Sequence, residues 1–129
     1  MYFLNVSSSF KENIKLMHSN LVIDKSYDIV ERIFKIGGKD TVLYYINGFI
    51  KDDIMEEILK SFISISVDTM NSYKTIEEFT THQVPHVSVE KQSDLEKVID
   101  ALLTGQTIFY VDGYKYFIVL DLRTYPGHD

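Results

Sequence analysis

The sequence predicts an α/β domain of mixed α+β character, with helices packed on a mixed sheet of about four strands and a β-hairpin closing the chain. Three observations lead there. Apolar residues recur at helical spacing behind capping residues, one short run is β-branched and aromatic throughout, and an Asp-Gly pair near the end separates two further β-rich runs. The 129 residues are 45% hydrophobic, 13% aromatic and 25% charged, the balance of one compact domain. No Pro/Gly/Ser-rich linker or solenoid-period repeat divides the chain, so a single domain over 1–129 is expected.

Ser9-Phe10-Lys11-Glu12 has the capping-box pattern and opens a first helix, with Phe10, Ile14 and Met17 on one face and Asn20 as its stop. Ser26 to Lys35 reads as a second helix, because Ile29 with Ile33 and Val30 with Phe34 form i,i+4 apolar pairs, and Gly37-Gly38 ends it. Thr41 to Ile46 is short, β-branched and aromatic, which predicts a buried central strand. Lys51-Asp52-Asp53 then supplies an N-cap and negative charge at a helix start, followed by Ile54, Ile58 and Phe62 with Met55 and Leu59 beside them. From Ser64 to Tyr73 the periodicity fades, and an irregular connection or a frayed helix extension is expected.

Thr75-Ile76-Glu77-Glu78 is a second capping box, opening a short helix that Pro85 closes. His86 to Val89 alternates as a half-buried strand does. Ser93-Asp94-Leu95-Glu96 is a third capping box, leading into Leu95, Val98, Ile99 and Leu102, with Gly105 placed as a left-handed terminator. Thr107 to Val111 and Tyr114 to Leu122 flank Asp112-Gly113 as a hairpin.

Composition narrows the functions on offer. A chain of this size buries roughly two-thirds of the surface its unfolded form exposes, enough for a core without staples. It has no cysteine, which removes thiol catalysis, disulfides and thiolate zinc sites and fits a reducing compartment. The net charge is −6 and the lysines are scattered among acidic residues, so nucleic acid is not an expected partner. Val42 to Ile46 and Phe117 to Leu120 fall far short of the ~20 apolar residues of a spanning helix, so no membrane insertion by this segment is expected. Met1 to Val6 is apolar without the flanks of a secretory signal and reads as a loose arm or docking strand.

Chemistry-bearing patterns are sparse, and neither a catalytic group, a metal nor a cofactor is expected. His82 and His86 have the i,i+4 spacing of metal ligands, but Pro85 between them breaks a helix, and no third ligand is near in sequence. Asp52 and Asp53 are adjacent and point about 100° apart on a helix, so capping explains them better than acid–base work. Gly37-Gly38-Lys39-Asp40 precedes a strand and lacks the phosphate-loop spacing; it is a turn. No Gly-x-Ser-x-Gly elbow or His-Glu-x-x-His pair is present. Tyr44, Tyr45, Tyr110, Tyr114, Tyr116 and Tyr125 either pack at the core edge or line a small-molecule pocket.

Val42 to Asp52 resembles the strand, Asn-Gly turn and helix start that opens the N-terminal domain of spore germinant receptor A subunits. Leu102 to Gly113 is similar to the same family's helix, glycine stop, strand and hairpin. Asp121-Leu122-Arg123-Thr124-Tyr125-Pro126-Gly127 and Pro85 to Lys91 are closest to the branch called stage V sporulation protein AF. The resemblance runs from about Tyr27 to Gly127, and His128 stands where the family commonly has a basic residue. It implies the first N-terminal subdomain of a longer spore inner-membrane protein, facing the cytoplasm of the spore core. By the same resemblance the domain would act without catalysis in assembly or signal coupling of a germination complex linked to ion release. Sibling subunits and a second copy of the chain are the expected partners. Phe3, Leu4, Arg123, Tyr125 and Pro126 are candidate interdomain or partner contacts. The alternative is a sensor in which the tyrosine-rich sheet and nearby carboxylates bind a small-molecule germinant, an ion or a released spore solute.

Overall fold

A computed structural model describes residues 5–21, 28–85 and 87–124, the last without its side chain. It contains α1 (Phe10–Asn20), β1 (Ile29–Ile36), β2 (Lys39–Ile46), α2 (Asp52–Ile63), α3 (Val67–Ser72), α4 (Ile76–Gln83), β3 (Val89–Gln92), α5 (Leu95–Leu103), β4 (Thr107–Val111) and β5 (Phe117–Leu120). A 3-10 turn follows at Leu122–Thr124. The sheet has five strands in the order β1-β2-β4-β5-β3, and all four pairings are antiparallel. The class is therefore α+β, with helices on both faces of the sheet.

The fifth strand is β1, where a helix was expected over Ser26 to Lys35. Four residues is a multiple of two as well as about one helical turn, so the pairs Ile29/Ile33 and Val30/Phe34 suit a strand equally well. Long-range pairing decides. Gly37 and Gly38 have φ of 54° and 84°, the left-handed pair that a two-residue hairpin turn requires, and eight residues of β1 then pair with β2 from Ile36↔Lys39 to Ile29↔Ile46. A β-carbon on Gly37 would lie 2.4 Å from the Met70 Cβ, so this turn also lets α3 approach.

Strand alternation sorts the interior into two cores. On one face Ile36, Leu43, Tyr45, Phe109, Val111, Ile118 and Leu120 pack beneath α2, α3 and α4. There the Phe62 ring lies 5.2 Å from Phe79 and 5.3 Å from Phe109. On the other face Ile29, Val42, Tyr44, Ile46, Ile108, Tyr110, Phe117 and Val119 meet α1 and α5 through Met17, Leu21, Leu95, Val98 and Leu102.

Local signals set most of the helix ends. Thr75 and Glu78 form the full reciprocal box at the start of α4. Ser9 caps α1 by accepting from the Glu12 N–H at 3.3 Å, while its own N–H donates to the Ser7 hydroxyl. At α5 the cap is Asp94 rather than Ser93: its carboxylate accepts from the Glu96 N–H at 3.0 Å. That helix ends in a Schellman arrangement, with Gln106 N–H on the Ala101 carbonyl, Gly105 N–H on the Leu102 carbonyl and Gly105 at φ 99°. Lys51 occupies the N-cap position of α2 without a side-chain hydrogen bond, so Asp52 and Asp53 contribute charge in its first turn, Asp53 also accepting from the Ile54 N–H at 2.9 Å.

Three boundaries move from their sequence positions. The weakly periodic stretch after Ser64 holds the short helix α3, capped by Ser66 and anchored by fully buried Met70. The strand expected from His86 starts at Val89, because only Val89–Gln92 pairs with β5; His86 itself lies outside the described residues. Asp112-Gly113 does turn the chain, yet β5 resumes only at Phe117, and the Asp112 carboxylate instead accepts from the Phe10 N–H at 3.0 Å, tying α1 to the hairpin. Of the N-terminal arm, Asn5 bridges Asp94 and the Val6 N–H donates to the Ser93 carbonyl, while residues 1–4 lie outside the described residues.

Ile58, 5% exposed between α2 and the sheet, should lose about 2–5 kcal/mol of unfolding free energy on Ile58→Ala, read from denaturant midpoints at unchanged slope. Gly37→Ala should cost at least about 1 kcal/mol through its left-handed backbone, plus the contact with Met70, and the same melts will show it.

Candidate functional site

Most of the sheet tyrosines serve the fold. The Tyr44 hydroxyl donates to Glu31 at 2.7 Å, and His18 Nε2 lies 2.6 Å from the same carboxylate oxygen. Burial first, then the adjacent carboxylate, pushes this phenol well above its ordinary range, so it remains a donor. Tyr110 donates to the Tyr114 carbonyl at 2.7 Å and is pushed up to about 12, chiefly by burial. Tyr114 donates to the Tyr73 carbonyl at 2.9 Å, and Tyr116 lies beneath the Lys91 ammonium, 4.6 Å from the ring centre. These four side chains pack and bridge elements rather than forming a cage.

Tyr45 is different. It is 5% exposed, lines a groove between β1 and α2, and its hydroxyl has no hydrogen-bond partner among the described residues. The groove holds about 570 Å³, within the ~300–1,000 Å³ of small-molecule sites. Its polar rim is Arg32, Asn47, Asp52, Glu56 and Lys60, over an apolar floor that includes Val30, Met55 and Leu59. Asp52, Glu56 and Lys60 share it because positions three, four, seven and eight apart lie on one helix face. Arg32 and Lys60 have no ion-pair partner among the described residues. Sequence reading missed this groove because Arg32 was placed on a helix; the Gly37-Gly38 turn and a period of two through Ile36 were the signals for it.

The candidate contacts divide between described and undescribed residues. Phe3, Leu4, Tyr125 and Pro126 lie outside the described residues. Arg123 makes a two-pronged ion pair with Asp121, Nε to Oδ1 at 2.9 Å and Nη2 to Oδ2 at 3.1 Å, and its Nη1 donates to the Thr104 carbonyl at 2.7 Å. Hydrogen bonding to this guanidinium holds the Asp121 carboxyl below its usual range. The residue thus clamps the end of β5 to the end of α5. Phe49, half exposed on the turn before α2, lies against Gly105 beside this clamp, where a β-carbon would come 2.2 Å from its ring.

Other sequence patterns stay apart. His82 stacks on Tyr73 with ring centres 5.5 Å apart and its Nδ1 is 2.8 Å from the Glu78 carbonyl. Among the described residues no three His, Asp or Glu side chains gather as metal ligands, and no helix is long and apolar enough to cross a membrane.

Two relatives from Bacillus subtilis (strain 168) share most of this chain. Stage V sporulation protein AF is 23% identical over 118 residues, which cover 92% of this chain and 24% of that protein. Uncharacterized membrane protein YfkQ is 25% identical over 120 residues, covering 92% of this chain and 22% of that protein. The chain therefore spans about a quarter of the length of the curated relatives it matches. The crystal structure of the N-terminal domain of the A subunit of the Bacillus megaterium spore germinant receptor GerK3 has the same fold, with a TM-score of 0.65 at 23% identity, over 91% of this chain and 94% of that one. With residues 17–129 matching the Bacillus/Clostridium GerA spore germination protein family, the chain belongs to that family.

Proposed function

We propose that this domain is a non-enzymatic module that assembles a germination complex or transmits its state, as the first soluble subdomain of a longer spore inner-membrane protein whose complex is linked to ion release. It faces the cytoplasm of the spore core, and its partners are sibling subunits. The observation that carries this reading is the open flank of the sheet: β1 offers an eight-residue strand with no further strand beside it among the described residues. Ile33 on that strand and Ile63 on the adjoining helix are each 57% exposed. Free strand edges with apolar side chains recruit other chains unless they are covered. Arg123, at the end of the sheet, is a second contact to the rest of the protein, and Phe3, Leu4, Tyr125 and Pro126 are further contacts on the chain segments outside the described residues.

The groove supports a second reading, a sensor for a germinant, ion or spore solute, because the Tyr45 hydroxyl and the Arg32 guanidinium, neither with a partner among the described residues, line it together.

Immobilised domain should retain detergent-solubilised membrane subunits of its germination complex. A domain that retains none of them, but whose melting temperature rises with an amino acid or calcium dipicolinate in the parent and not in Arg32→Ala, would replace assembly with sensing. Arg123→Ala should lower the stability of the isolated domain slightly, since the pair is partly exposed. Its folded Asp121 pKa is depressed, so the difference between variant and parent should be full above the ordinary carboxylate pKa and vanish as pH falls through the folded one, measured by melts in an acid series. A larger loss in the protein that carries the next subdomain marks Arg123 as an interdomain contact; an equal loss confines it to this domain.

A further inference from the structure

We propose that two copies of this chain pair edge to edge through β1, antiparallel about a two-fold axis at Ile33, to form one continuous sheet. The inference rests on the reading of the domain as an assembly module and names one of its partners as a second copy.

Backbone parity restricts the register. The Asn47 N–H donates to the Asp28 carbonyl, which makes 28↔47 a hydrogen-bonded pair of the β1–β2 ladder. Antiparallel ladders alternate such pairs, so the even residues of β1 turn their backbone groups toward β2 and the odd residues turn theirs to the free edge. Ile29, Glu31, Ile33 and Lys35 therefore present the open donors and acceptors. Two copies can hydrogen-bond only if odd residues face odd residues.

Side chains choose among the registers left. Centring the pairing on Ile33 places Glu31 opposite Lys35 of the other copy, twice, and Ile33 opposite itself. Opposite charges facing across strands stabilise a pair, and like charges destabilise it. A shift that centres on Arg32 sets Glu31 against Ile33, and one that centres on Glu31 sets it against its own copy. The charges thus select the Ile33 register. The groups are also free to respond: Lys35 is 67% exposed with only the surface partner Asp40, and Glu31 uses Oε2 for both Tyr44 and His18, leaving Oε1.

The apolar evidence lies at the same seam. Ile33 is 57% exposed at the centre of the edge strand, on the face that carries α1, and Ile63 is equally exposed on α2 across the sheet, beside the groove. A two-fold axis perpendicular to the sheet leaves both α2 helices on one face, so each groove, bounded by Val30 and Arg32 of the edge strand, opens beside the other copy's β1. Covering that seam removes an eight-residue strand edge from solvent.

Light scattering or sedimentation over a concentration series tests this, with the chain expected to rise from 15.0 kDa toward twice that mass. Ile33→Lys and Lys35→Glu, both at exposed sites, should melt as the parent does when dilute enough to be a monomer, and should hold the mass at the monomer. The chain has no thiol of its own, so Ile33→Cys gives a direct reading. Facing residues of a hydrogen-bonded pair are about 5.5 Å apart at Cα, inside the disulfide range of about 4.4–6.8 Å. Mild oxidation should link Ile33→Cys into a covalent dimer, while Val67→Cys, also exposed but on α3, should stay a monomer. A parent that stays monomeric with no Ile33→Cys dimer overturns the pairing, as does association that Ile33→Lys leaves intact. Retention of sibling subunits by such a monomeric chain would keep the assembly reading standing while this inference falls.

Discussion

The layering of this domain answers to the burial of both faces of β2. From Thr41 to Ile46 each residue is buried, and alternation sends Leu43 and Tyr45 to one core and Val42, Tyr44 and Ile46 to the other. A strand apolar on both sides needs a covering layer on each side. That demand is met by α2, α3 and α4 above and α1 and α5 below, and β4 repeats the pattern with five buried residues of its own. Edge strand β1, with solvent on part of each face, lies outside this constraint and is free to carry charge.

Legibility in the sequence followed the range of the forces involved. Where a few adjacent residues settle the matter, the reading was accurate: α1 runs from the residue after Ser9 to Asn20, α4 begins at the Thr75 box, and Gly105 terminates α5. Where pairing partners far along the chain decide, it was not. The apolar pairs of β1 fit two periodicities, and only the register with β2 separates them. Strand β3 took its start from β5 rather than from its own alternation, and Asp94 displaced Ser93 because either side chain can cap the same turn. The tyrosines were legible as a set but not in their roles, since a hydroxyl's partner, such as the Tyr73 carbonyl 41 residues from Tyr114, is a property of the fold. The groove was illegible for the same reason, being made by β1 and α2 together.

The distribution of committed and uncommitted polar groups separates structure from function here. Tyr44, Tyr110 and Tyr114 have hydroxyls fixed inside the domain, and Asn13, wholly buried, is held by both polar atoms of its amide on the Ser7 backbone. Such groups specify one arrangement because leaving any of them unpaired is costly. Among the described residues, Arg32, Lys60 and the Tyr45 hydroxyl are left over along one flank beside exposed Ile63, with Ile33 exposed on the other face of the same strand. A surface that concentrates both uncommitted polarity and uncovered apolar area is suited to recognition.

The strand order also sets a schedule for the chain as it is made. Strand β5 is the last of the five described strands to be synthesised, yet it lies between β4 and β3, and among the described residues β3 pairs with no other strand. Because both neighbours run antiparallel to β5, they are parallel to each other, with α5 crossing over a slot that stays empty until Phe117 to Leu120 emerges. Until then a nascent chain has β3 without a ladder and the floor beneath α4 incomplete. Completion of the sheet is therefore an insertion event that waits for Phe117 to Leu120, and a ribosome stalled before Phe117 would expose an unfinished core to chaperones and proteases.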